Sequence, residues 1–187
     1  MEDAKLSMYQ NVLVRAVNHR TGDIVESYCS NRVTKNALLG IARFIYGDFS
    51  SNNVEQASRY TPKFLALGGY PSSATPLVPE NVGSVNAIRL TNEITNTAVS
   101  GSITPRIEIA SRTITNEIAN DYVKLSMKIF VPSSSLANTV INEAGLFITD
   151  TGDSCWARVG INPAITKDSS TTIDIVWDIT IRSIANS

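Results

Sequence analysis

Between residues 172 and 182 apolar and polar side chains take turns along the chain. Ile173, Ile175, Trp177, Ile179 and Ile181 fall on one parity, and Asp174, Val176, Asp178, Thr180 and Arg182 on the other. Successive side chains of an extended strand point to opposite sides, whereas a helix would scatter the same stripe around its circumference. The stretch therefore reads as a half-buried strand. Residues 122–131 carry the same signature, with Val123, Leu125, Met127, Ile129 and Val131 alternating with Lys124, Ser126, Lys128 and Phe130. The composition extends the reading to the rest of the chain. Its 20 Ile and 15 Val outnumber 11 Leu, and β-branched side chains suit a pleated surface better than a helix.

Further strands are expected over residues 63–69, 85–94, 103–112, 140–148 and 155–161, with a hairpin turn at Thr149, Asp150, Thr151, Gly152 and Asp153. Residues 11–29 read as a first hairpin, 12–17 and 24–28 joined by a turn rich in residues that tolerate tight geometry, Asn18 to Asp23. One helix is expected after it. Asn31 or Thr34 caps it, Leu38, Ile41, Ala42 and Ile45 fall on one face, and Gly47 ends it. Residues 48–60 are a polar loop, and 70–83, with Pro71, Pro76 and Pro79, form a long surface loop of the kind that often carries function. The expected fold is mainly β: an antiparallel β-sandwich, jelly-roll-like, with one amphipathic helix packed on it. No internal repeat or boundary divides the 187 residues, so one domain is expected, with the hairpin and helix at 11–47 and the sandwich body at 60–183.

Charge narrows the function classes. Sixteen Lys and Arg face 17 Asp and Glu, which leaves no basic surplus for neutralising nucleic-acid phosphates. The amino terminus is polar and no apolar run approaches the roughly 20 residues that span a bilayer, so a soluble chain made in the cytoplasm is expected, with Cys29 and Cys155 as free thiols. The single histidine, His19, sits in the first hairpin turn with no orienting partner or nucleophile in view. Asp150, Asp153 and Ser154 lack the spacing and distal glutamate of a calcium loop and read as a polar turn. Gly68 and Gly69 lack the spacing and lysine of a phosphate loop. Glu93 and Glu143 are the one carboxylate pair with a formal analogy to a glycosidase, and nothing in the order of the chain brings them together. Cys155 and Trp156 follow a turn, and a buried structural cysteine is the expectation there despite Arg158. No cofactor, metal site or catalysis is expected.

Four segments, taken in order, carry a resemblance. They are the helix opening at 31–38; the strand Phe64-Leu65-Ala66-Leu67-Gly68 with Arg89-Leu90-Thr91-Asn92-Glu93 after the loop; Thr139 to Phe147 with Trp156-Ala157-Arg158-Val159; and Ile165-Thr166-Lys167-Asp168 before the closing strand. Together, over about 31–182, they resemble tail-associated virion proteins of tailed bacteriophages, including the particle-attaching domain of tail-collar fibre proteins. The resemblance implies a structural component of the tail, baseplate or neck, located in the virion, oligomeric, and bound to other virion proteins. From the charge balance and the lack of a long apolar run, neither nucleic acid nor membrane is expected as a partner. The chain stops at Ser187, so a long fibrous shaft is not expected.

Within that reading Asn142, Glu143, Gly145, Leu146 and Phe147, with Tyr70 and Pro71 of the long loop, are the candidate assembly residues; ordinary core and turn roles are the alternative. Leu146 and Phe147 must point to opposite faces, so one fills the core while the other meets a second layer or a neighbouring subunit. Glu143 is placed to accept from backbone donors of a neighbouring loop. The alternatives are a capsid-decorating protein and a module that reads host-surface glycans with Tyr, Trp and Asn side chains. A polysaccharide depolymerase using Glu93 or Glu143 ranks last.

Overall fold

The computed structural model describes residues 5–30, 32–34, 37–38, 41, 61–72, 89–94, 106–109, 111–117 and 122–184. These form ten strands: β1 (Lys5–Asn18), β2 (Ile24–Ser30), β3 (Arg32–Val33), β4 (Phe64–Pro71), β5 (Ile107–Glu108), β6 (Ser111–Glu117), β7 (Tyr122–Val131), β8 (Thr139–Phe147), β9 (Cys155–Lys167) and β10 (Thr171–Ile184). They make two five-stranded antiparallel sheets, ordered β2-β1-β10-β7-β6 and β3-β9-β8-β4-β5. The protein is mainly β, as the alternation requires.

The closing strand behaves as its pattern dictates. Ile173, Ile175, Trp177 and Ile179 are buried while Asp174 is exposed, and only Ile181, near the strand's end, is left outside. One apolar cluster takes Val12, Val14 and Ala16 from β1, Met127, Ile129 and Val131 from β7 and the β10 stripe on one side. From the other sheet it takes Leu65, Leu67, Ile141, Leu146, Val159 and Ile161. At about 25 cal/mol per Å² of apolar surface removed from water, this shared cluster is the main favourable contribution to folding. Trp177 lies inside it and donates its indole N–H to Gln10 Oε1 at 3.1 Å, which satisfies the ring's only polar atom.

Several expectations change. The first hairpin is real, and its turn has Gly22 at φ 80° with Gly22 N–H donating to Asn18 O at 2.8 Å. Its strand β1 starts at Lys5 and pairs along its whole length with β10, so the hairpin is a member of the first sheet. The strand expected over 103–112 divides: β5 joins β4 in one sheet and β6 joins β7 in the other. Between them Ile109 turns into the core, with its N–H on Lys63 O at 2.8 Å. The described part of the strand expected over 85–94 is a turn whose sole ladder contact is a bridge from Glu93 to Gly68. The helix expected to end at Gly47 lies outside the described residues except for Ala37, Leu38 and Ile41; there Leu38 N–H donates to Thr34 O at 3.1 Å. Of the long loop at 70–83, only Tyr70, Pro71 and Ser72 are described, and β4 runs on to Pro71.

Candidate functional site

β8 is buried on both faces from Ile141 to Phe147, which an ordinary half-buried strand is not. The register explains why. Asn142 is an extra residue opposite β4, so Ile141 and, after the bulge, Ala144 and Leu146 face the shared core, while Glu143, Gly145 and Phe147 face outward. A second layer covers that outward side. Residues 89–94 lie over it as a strap, pinned by Gly69 N–H to Asn92 O and Ile94 N–H to Leu67 O, both 2.9 Å. Leu90 on the strap closes a small second apolar cluster with Ala66, Phe147 and Cys155.

Two ion pairs sit in this layer. Glu143 has no exposed surface; its Oε1 accepts the Asn92 N–H at 2.7 Å, and its Oε2 accepts from Arg158 Nε at 2.9 Å and Nη2 at 2.7 Å. Arg158 also reaches Thr91 Oγ1. Both carboxylate oxygens are thus bonded, the condition under which a buried charge is tolerated. Arg106 is buried as well. It grips Glu93 through two parallel bonds of 2.9 and 3.1 Å and donates to the carbonyls of Thr149 and Gly152 at 2.9 and 2.7 Å. Its guanidinium lies 3.6 Å from the centroid of the Phe147 ring. Arg106 therefore fastens the β8–β9 turn to the strap across Phe147.

Close approach makes small residues necessary beneath the strap. A Cβ on Gly68 would collide with Glu143 Cγ and come within 2.5 Å of its Oε1, and one on Gly145 would meet Leu90 Cδ2 at 2.8 Å. Cys155 lies under the same layer, its thiol donating to Ala157 O at 3.4 Å. Burial pushes that thiol up to about 12, against the weaker opposing pull of Arg158 and Arg106, so it stays protonated and unreactive at neutral pH. Cys29 is also a free thiol, partly exposed on β2.

The candidate assembly residues are accordingly not a surface patch. Asn142, Glu143, Gly145, Leu146 and Phe147 are all buried in their own chain, and Tyr70 is buried too. Leu146 and Phe147 do face opposite sides, but the second layer that Phe147 meets is the chain's own strap. Glu143 does accept from a neighbouring backbone donor, Asn92. Pro71 ends β4 opposite Thr139. Glu93 and Glu143 lie in one layer, yet each is bonded to its own arginine, Arg106 and Arg158. Asp150, Asp153 and Ser154 belong to the turn that Arg106 holds, and among the described residues no group of three or more His, Cys, Asp or Glu side chains is placed for a metal. His19 is exposed and bonds Thr172 Oγ1 at 2.9 Å.

Sequence reasoning missed Arg106 altogether and read Arg158 only as a neighbour of Cys155. No spacing rule identifies either. The one usable signal was a glutamate inside an otherwise apolar strand, Asn142-Glu143-Ala144-Gly145-Leu146, which demands a buried cation.

Compared with family models, curated proteins and solved structures, the chain matches none.

Proposed function

We propose that this chain is a structural component of a tailed-phage particle, at the tail, baseplate or neck, working by protein–protein contact and without catalysis. Its two sheets act as a jelly-roll-like β-sandwich, with the helix that begins near Thr34 packed on it, and it resides in the virion as an oligomer joined to other virion proteins. The observation that carries this reading is convergence. Of the segments that bear the resemblance, Phe64 to Gly68, Arg89 to Glu93, Thr139 to Phe147 and Trp156 to Val159 meet in the strapped layer of the second sheet. There they spend their polar groups on one another. A scaffold that must hold shape under load needs such an internally bonded plate, whereas a hydrolase needs a carboxylate free to take or give a proton.

Mass spectrometry of purified particles tests the proposal: peptides of this chain at a fixed stoichiometry are expected, and their absence overturns it. An electron-microscopy map of the particle separates tail placement from capsid decoration. A glycan-binding role is the second reading, favoured by Tyr28, Phe130 and Tyr9, which are 75, 56 and 53% exposed and share the outer face of the first sheet. Both tryptophans are buried, so that reading rests on these three rings. Retention on a glycan array that is lost in Tyr28→Ala would favour it over the scaffold.

A further inference from the structure

We propose that the first half of β1, Lys5 to Gln10, is a strand-pairing edge for a second copy of this chain. β1 pairs with β10 over its full length, but its ladder with β2 begins only at Asn11 opposite Ser30. After Ser30 the chain leaves for β3, which belongs to the other sheet. Nothing among the described residues takes the vacated place. In an antiparallel ladder alternate residues point both N–H and C=O to the same side, so every second residue of Lys5 to Gln10 directs its backbone groups away from β10.

The other edges are short, interrupted or charged within their length, whereas the one charge here, Lys5, sits at the strand's end. β3 and β5 are two residues long, the length of β9 that β3 leaves uncovered contains Pro163 and a break in register, β2 carries Glu26, and β6 carries Arg112 and Glu117. Short strands, charges, prolines and bulges are how folded proteins keep edges from pairing. Lys5 to Gln10 has no proline, no break in its register with β10 and one charged residue, Lys5.

The side chains at this end argue for a like partner. Met8, Ile181 and Val123 are cross-strand neighbours in one row, on the parity that elsewhere faces the core. Yet Ile181 is 41% and Val123 40% exposed, and Met8 is only partly buried. A twofold axis perpendicular to the sheet and midway between the two β1 strands sets Met8 opposite the second copy's Met8 and keeps both core faces on the same side. The row then runs unbroken as Val123, Ile181, Met8 and the second copy's Met8, Ile181 and Val123. Such an isologous contact closes as a dimer. It does not depend on the virion reading, because it is tested on the isolated protein.

Light scattering across a concentration series is expected to show a mass rising to twice 20.3 kDa. Met8→Lys, which sets two ammonium groups against each other at the axis, should weaken association about tenfold or more while leaving the circular dichroism spectrum unchanged. In a Cys29→Ser background, Met8→Cys should give an intermolecular disulfide under mild oxidation. Val123→Cys, about 24 Å from its counterpart at five strand spacings, should give none. Amide hydrogen exchange closes the test: the alternate amides of Lys5 to Gln10 that point away from β10 should gain protection as protein concentration rises. A monomeric mass throughout, protection of those outward amides already in the monomer, or their protection only in assembled particles would each overturn the proposal; the last would assign the edge to another virion protein.

Discussion

A carboxylate with no exposed surface survives only when each oxygen is bonded, and Glu143 meets that condition through the Asn92 amide and the Arg158 guanidinium. Glu143→Ala should therefore cost about 3–5 kcal/mol in denaturant unfolding, most of it from stranding Arg158 in a buried site. The paired change Glu143→Leu with Arg158→Met should cost much less than the two single changes added together, because it removes both charges at once. Gly68→Ala should cost about 1–3 kcal/mol by driving a methyl into the Glu143 side chain. Cys155 offers a chemical readout of the same layer. With its thiol pushed up to about 12, alkylation of the native protein should label Cys29 and spare Cys155 until the chain unfolds. Gly68, Glu143 and Gly145 were visible in the sequence as unusual residues in apolar strands. Their reason was not, because Asn92 and Arg158 reach Glu143 from 51 positions before it and 15 after it.

At the scale of elements, two turns from opposite ends of the chain hold each other. Asp168 opens the β9–β10 turn and accepts from Thr171 Oγ1 at 2.7 Å, Ser170 N–H at 2.8 Å and, across from the β1–β2 turn, Asn18 Nδ2 at 3.1 Å. These bonds favour the charged form and hold its carboxyl below the usual 3.8. A group whose folded value is depressed stabilises the fold above its unfolded value and loses that contribution as pH falls through the folded one. Unfolding midpoints measured downward from about pH 4 should therefore drop more steeply in the native sequence than in Asp168→Asn. Lys167 beside it acts in the same sense at the alkaline end of the pH axis. Its ammonium is buried against the carbonyls of Ser133 and Asp168 at 2.9 and 3.1 Å, and burial lowers it from 10.5. In the window just below 10.5 the unfolded chain holds the extra proton, so stability from this group rises with pH there, and Lys167→Met should flatten that rise. The alternation that identified β7 and β10 is a local property and was legible. The division of 103–112 between two sheets was not, since the apolar run through Ile107 and Ile109 does not say where the chain crosses.

For the whole molecule, the decisive comparison is between the open edge at Lys5 to Gln10 and the closed layer at Glu143. Self-association should respond to Met8→Lys and not to Gly68→Ala, as measured by light scattering on folded protein, because the two sites lie in different sheets. Period-two alternation, β-branched composition and turn residues are local, and by themselves they determined that this chain is a mainly β protein with strands at β1, β2, β7, β8, β9 and β10. They also determined that Leu146 and Phe147 must serve two different layers. Only the tertiary structure decided what those layers are. A bulge at Asn142 switches the parity of β8, the chain leaves β2 for the other sheet after Ser30, and two buried arginines find carboxylates far from them in the chain. Each of these depends on which distant backbone lies alongside, and strand pairing at long separation is set by the packing of the whole core, which no window of neighbouring residues contains.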